Sequence, residues 1–332
     1  MATPQEENPH TSLQHVIVIW VVLLGLLIGG FAVAVISLNA TLYSAGGFVN
    51  SYLMALQRHD FLAAVSTPGV RGAANAEDDL LTTDALGDID DVSIVTDLDL
   101  GGGIHEVTYS ATLGDASVGG TFEVQQEASR FGIFSTWSFL QSPMSVLRIT
   151  PLHDDFFTAN GVDVSSPNGP SAPVAYQVLT PGFFTLSHTS NYLSAERVTA
   201  TVTQPGSVAP VTLDVQPTVE FISAIQDQVD SFLDDCTEQE VLFPTGCPFG
   251  QELSNRVEST PEWSMATYPE ITIEPGNERG TWVIPEAQGA AHLIVEVRSL
   301  FDGTLSTFDK DVQFALSWEM TISGDRVDIQ QR

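Results

Sequence analysis

The sequence predicts an α+β, β-rich chain: one N-terminal transmembrane helix, then helix-plus-antiparallel-sheet modules flanking a small β-sandwich-like domain. Three observations carry that expectation. Residues 16–38 form an uncharged run of 23, VIVIWVVLLGLLIGGFAVAVISL. Two amphipathic stretches, 44–66 and 218–235, are each followed by segments whose apolar residues alternate with period two. Between those two modules lie short apolar runs bounded by Asn160-Gly161, Pro181-Gly182 and the loop SSPNGPSAP (165–173).

The apolar run is the strongest signal. About 20 apolar residues span the hydrocarbon core of a bilayer, whereas a cleavable signal carries roughly 7–15 behind a positive n-region. The first 15 residues hold no Lys or Arg, only Glu6, Glu7, His10 and His15 among titratable side chains. A retained anchor over 16–38 with a short cytoplasmic tail over 1–15 is the expectation, and no cysteine follows the run to take a lipid. The positive-inside rule finds no cation before Arg58. Orientation therefore rests on Cys236 and Cys247, a pair in the turn-rich segment DDCTEQEVLFPTGCPFG. A disulfide there would persist in an oxidising compartment and stabilise by roughly 3 kcal/mol through loop closure. Two free thiols, or a zinc site completed from elsewhere, are the other readings of the pair. The bulk of the chain is expected outside the cytoplasm, with the anchor in the plasma membrane.

Charge narrows the partners. The chain of 332 residues carries 42 acidic and 11 basic side chains, a net of −31, with Lys310 its single lysine. Such a surface repels phosphate backbones, so nucleic acid is not an expected partner. It also lacks a polybasic patch for anionic lipid.

Along the chain, Phe48, Leu53, Leu56, Phe61, Leu62 and Val65 recur at helical spacing until Pro68 and Gly69 stop the pattern. Strands are expected at 92–97, 105–113, 118–126 and 132–140, making a curved sheet around the first helix in a domain of 44–141. The domain over 142–216 should be all β, with strands at 146–150, 156–158, 162–164, 175–179, 183–190, 195–204 and 211–215. In the domain of 217–332, Val219, Ile222, Ile225, Val229, Phe232 and Leu233 mark a helix face. Strands follow at 266–273, 279–284, 290–300, 306–318 and 319–329.

This layout resembles membrane-anchored extracytoplasmic proteins of actinobacterial type. FVNSYLMALQRHDFLAAVS (48–66) is similar to the first helix of a cystatin-like or nuclear-transport-factor-2-like module. FFTANGVDV (156–164), with LTPGFFTLS (179–187) downstream, is similar to PEGA- or TcaA-like β-domains. The resemblance implies scaffolds and ligand-binding shells, often without catalysis.

No constellation for chemistry stands out. His59-Asp60 lies on a helix where adjacent positions point about 100° apart. His153-Asp154-Asp155 sits in a link between strands, more suited to a turn than to a metal. The acidic tracts Glu77-Asp78-Asp79 and Asp88 to Asp91, with Asp97 and Asp99, lack the ligand spacing of a calcium loop. There is no G-x-S-x-G elbow, phosphate-binding loop or other cofactor motif. Asn39-Ala40-Thr41 is a formal glycosylation sequon beside the membrane, and Gly25, Gly29 and Gly30 offer a small-residue face for helix pairing. Phe131, Phe134, Trp137, Phe139, Trp263, Trp282 and Trp318 read mostly as core.

The leading expectation is a non-enzymatic binding or assembly ectodomain that contacts an envelope protein or a cell-wall polymer. A sensory ectodomain for a small ligand is the alternative, and an enzyme of the nuclear-transport-factor-2-like kind a third.

Overall fold

The computed structural model describes residues 9–72, 75–129, 132–278, 280–323 and 326–331. Residues 1–8 of the expected tail, Phe131 and Arg279 lie outside them. Helix α1 (Pro9–Ala40) contains a 26-residue segment, His15–Ala40, long and apolar enough to cross a membrane. At 1.5 Å per residue it is roughly 39 Å long. None of its most apolar stretch is buried against the rest of the chain.

The stretch expected as one helix over 44–66 is two, α2 (Ala45–Gln57) and α3 (Phe61–Val65). His59 stands at φ 54 between them, and Asp60 accepts a hydrogen bond from the Ala63 amide at 3.1 Å. Aspartate caps a helix better than it sits inside one, so the chain restarts there. Against α2 lies an antiparallel sheet in the order β1 (Ile89–Gly101), β2 (Ile104–Leu113), β3 (Ala116–Gln126), β4 (Trp137–Phe139). Val49, Tyr52, Leu53 and Leu56 of α2 meet Val107, Tyr109, Phe122 and Phe139, while Leu62, expected on the same face, is exposed. Each buried large side chain contributes roughly 1.5–3 kcal/mol by leaving water.

The second sheet system comprises β5 (Met144–Leu152), β6 (Phe156–Ala159), β7 (Val162–Ser165), β8 (Val174–Leu179), β9 (Gly182–Thr189), β10 (Leu193–Val202) and β11 (Val208–Pro217). Asn160 and Gly161 turn β6 into β7 with φ of 50° and 83°, the geometry that favours Asn-Gly. Strand β11 pairs parallel with β5 over residues 208–214, then antiparallel with β10 over 215–217. It thereby joins two layers whose inner residues face each other, with the Phe157 ring of β6 edge-on to Tyr176 of β8 at 6.1 Å.

Helix α4 (Val219–Thr237) opens the third sheet system. Its buried face runs Phe221, Ile225, Val229, Leu233 and Cys236. Val219, expected inside, is exposed, because the stripe is set one turn position later by Phe221 packing on Tyr192 at 5.0 Å. β12 (Arg256–Val257), β13 (Glu262–Thr267) and β14 (Glu274–Pro275) pair in succession along one edge of β15 (Thr281–Arg298). β16 (Leu305–Ser323) covers the other edge, and β17 (Arg326–Gln331) extends it. The two strands expected at 279–284 and 290–300 are therefore one, with a bulge between Ile284 and Ala287. Pro285 lies in that bulge, where its missing N–H costs no ladder bond. Likewise the strand expected at 266–273 lies at Glu262–Thr267.

Two seams put these units in line. At the first, the Tyr52 hydroxyl donates to Thr180 O and the Tyr109 hydroxyl to Thr203 O, each at 2.8 Å. Burial pushes both tyrosines well above their usual pKa, which keeps them protonated as donors. The segment after α3 straps across, with the Gln177 amide donating to Glu77 O and the Asn160 amide group to Ala85 O. At the second seam the Thr218 amide donates to Tyr192 O at 2.9 Å, and His153 sits edge-on to Trp282. One continuous apolar core spans the second and third systems.

The first seam sets a sharp steric limit. A Cβ on Gly87 would stand 2.0 Å from Phe183 O, backbone against backbone. Gly87→Ala should lower the urea unfolding free energy by roughly 1–3 kcal/mol. An unchanged midpoint would mean that the seam opens without penalty.

Candidate functional site

The titratable groups singled out in the sequence are spread out rather than gathered. Cys236 and Cys247 form a disulfide, with Cα atoms 5.8 Å apart, that ties the end of α4 to the loop after it. His59 contacts Asp88 at 3.2 Å, and Asp60 is spent on the α3 cap. His153 bonds Val215 O at 3.1 Å and approaches Asp214, Asp154 accepts the Phe156 amide, and Asp155 is buried beside Ser165. That triplet builds the β5–β6 turn. The acidic tracts divide in the same way: Glu77 belongs to the strap, Asp91 accepts from Thr112, and Asp97 accepts the Gly46 amide at 2.9 Å. Among the described residues no group of three or more His, Cys, Asp or Glu side chains is arranged to hold a metal.

Other expectations fall into place residue by residue. The Asn39 side chain donates to Ile133 O and accepts from the Ser135 amide, so the sequon asparagine is engaged in a structural bond. Gly25, Gly29 and Gly30 face open space on α1. Trp137, Phe139, Trp263, Trp282 and Trp318 are buried. Two arrangements escaped the sequence reading. His105 lies between Asp97 at 2.6 Å and Asp99 at 3.8 Å, and His292 between Asp311 at 2.7 Å and Asp309 at 3.1 Å. Each is a D-x-D on one strand facing a histidine on its neighbour, a pattern visible only once the strands are paired.

Concavities are shallow and lie at element edges. One of about 500 Å³ runs between α4 and the third sheet, lined by Asp227, Phe232, Asp235, Trp318 and Ile329. Another, of about 440 Å³, lies over Asn160, Phe183 and Arg197 at the first seam. Neither holds the buried side-chain polar atoms that lack hydrogen-bond partners among the described residues, Tyr176 Oη, His188 Nε2 and Trp282 Nε1.

The most distinctive surface is the turn between β15 and β16. Its polar groups satisfy one another. Ser299 and Thr304 close the hairpin, the Gly303 amide donates to Ser299 O, and Gly303 takes φ 75. Asp302 accepts from the amide and hydroxyl of Thr304, and the Ser299 hydroxyl and Thr304 amide hold its carboxyl below the usual range. Arg298 braces the turn from behind, donating to Gly303 O at 3.2 Å and to Glu258 at 3.0 Å. That guanidinium holds the Glu258 carboxyl below its usual pKa. From this ordered turn Leu300, Phe301 and Leu305 project into solvent, Phe301 being 99% exposed. The second-sheet seam touches β15 at Trp282, so the turn lies at the opposite end of that strand, a contour of roughly 50 Å away. It is also the end farthest along the chain of seams from α1.

No known family matches. Compared with family models, curated proteins and solved structures, the chain finds no match in any of the three.

Buried Tyr176 offers a direct check on the packing between strap and second sheet. Burial, with Asp79 and Glu77 nearby, raises its hydroxyl from 10.0 to about 12. The unfolded chain ionises first as pH rises past the ordinary value. Stability is therefore complete below that value and declines toward pH 12. Tyr176→Phe removes an unpartnered hydroxyl, so neutral-pH stability should hold or rise, and the alkaline decline in denaturant midpoint should be shallower. A marked loss at neutral pH would show that the hydroxyl has a partner after all.

Proposed function

We propose that this chain is a single-pass membrane protein whose β-rich bulk lies outside the cytoplasm and works by binding, as an arm that presents a docking tip to an envelope protein. The observation that carries the reading is the β15–β16 turn: a turn whose amides from Phe301 to Thr304 all find partners within it, yet which displays Leu300, Phe301 and Leu305 to water. Exposing a large apolar cluster is unfavourable by roughly 1.5–3 kcal/mol per side chain. A folded turn that bears that penalty is suited to burying the cluster on a partner. An aromatic and two leucines fit a protein surface better than a wall polymer, whose sugars would use the ring but not the leucines. The apolar α1 supports the anchor, and the Cys236–Cys247 disulfide supports an oxidising side for the bulk.

Two measurements test it. The chain should stay with membranes through carbonate washing and be degraded by protease added outside intact cells; release into the soluble fraction, or full protection, overturns the topology. A photo-crosslinking residue at 301 in intact cells should capture one protein reproducibly, whereas the same probe at exposed Val208 should not. Phe301→Asp should weaken that association about 30-fold, from the roughly 2 kcal/mol carried by one buried aromatic. Equal capture from both positions, or wild-type binding by the variant, would remove the tip from the function.

A further inference from the structure

The other end of the arm carries an apolar surface of its own. Helix α1 does not pass into the first sheet through a free linker. Asn39, in its last turn, donates through Nδ2 to Ile133 O at 2.8 Å and accepts the Ser135 amide at 3.1 Å. Ser135 Oγ accepts from the Gln126 side chain at 3.0 Å, and the Gln126 amide donates to Gly103 O at 2.7 Å. An unbroken line of hydrogen bonds therefore runs from the end of α1, through the loop before β4, to the glycine turn between β1 and β2. Beside it Tyr43 stacks on Phe134 at 4.5 Å, and Trp137 Nε1 donates to Tyr43 O at 2.8 Å.

The same geometry fixes the level of that turn. Asp97 accepts the amide of Gly46 in the first turn of α2, and β1 continues past Asp97 to Gly101. Those four residues extend roughly 13 Å further toward the α1 side. The turn 101–103 thus sits beside the last turn of α1, not above α2. Around it Leu42, Leu98, Leu100 and Ile133 are exposed. Asp97 and Asp99, the nearest acids on β1, are both turned to His105, and Asp99 also accepts the Gly101 amide. Apolar side chains held at a fixed height beside the end of an apolar helix match the polar–apolar interface of a bilayer.

We infer that this end of the first sheet is a foot seated in the headgroup layer of the membrane that α1 crosses, with Leu42, Leu98, Leu100 and Ile133 immersed. The inference rests on α1 being a span. It gives the arm a fixed tilt, because helix, foot and sheet are one hydrogen-bonded unit. Among the described residues of the foot none is lysine or arginine, and the immersed side chains seek apolar depth.

The test uses the full chain in phosphatidylcholine vesicles, with the native disulfide intact. Single cysteines replace Leu100, Ile133, Leu305 and Ala32 in turn, each labelled with an environment-sensitive fluorophore. Lipids carrying a spin label at the headgroup should quench positions 100 and 133 several-fold more than 305, and a label deep in the acyl chain should quench 32. If 32 is quenched while 100 and 133 behave like 305, the foot is overturned and the span stands. If 32 is not quenched by the deep label, the span fails and the foot with it. Leu100→Asp in the Ile133→Cys background adds a check, since it should reduce headgroup quenching at 133.

Discussion

Tyr52 lies buried in the middle of α2 with its hydroxyl on the carbonyl of Thr180, and everything that follows the first sheet takes its direction from that bond and the contacts around it. A buried hydroxyl without a partner is costly, so the side chain selects one placement of the second sheet against the first. Gly87 and Gly120 reinforce the selection by letting backbones approach where any side chain would collide with Phe183 O or Thr203 O. The second seam repeats the principle with apolar surface, through Tyr192 on Phe221 and His153 on Trp282. Units joined in this way leave little room for hinge motion.

Rigidity gives the two ends different meanings. At one end Asn39 ties the apolar helix to the loop before β4, so force or tilt at the helix passes into the sheet. At the other, β12 pairs with β15 up to its last residue, Arg298, while the outer edge of β16 is left unpaired by β17 as far as the turn, whose amides from Phe301 to Thr304 already have partners. A surface that is pre-organised would bind a partner without an ordering cost, and exposed Phe301 stands on such a turn. The excess of acidic over basic side chains, 42 against 11, favours solubility. The open edge of β16 is guarded in a related manner by Asp309, Lys310 and Asp311, charges that make strand addition unfavourable.

Much of this organisation was readable in the sequence because it is local. The apolar run needs only its own composition to be seen, the Asn160-Gly161 turn only two residues with positive φ, and the disulfide only a short acidic loop between two cysteines. Period-two alternation exposed most strands. Errors arose where a local pattern met a non-local decision. Asp60 ended a helix that periodicity alone continued, Pro285 produced a bulge instead of a strand end, and Val219 alone fell outside the expected α4 face.

By itself the sequence determined the apolar helix, the β-rich class and the absence of any recognisable motif for chemistry, since each depends on spacing within one segment. Only the tertiary structure decided which surfaces matter. Leu100 and Phe301 are ordinary apolar residues in turn-flanking runs, and nothing in their neighbours marks them as exposed. Their exposure comes from where pairing leaves them: one beside the last turn of α1, the other at the far end of the longest hairpin. Exposure is set by what packs against a residue, and that depends on contacts between segments far apart in the chain.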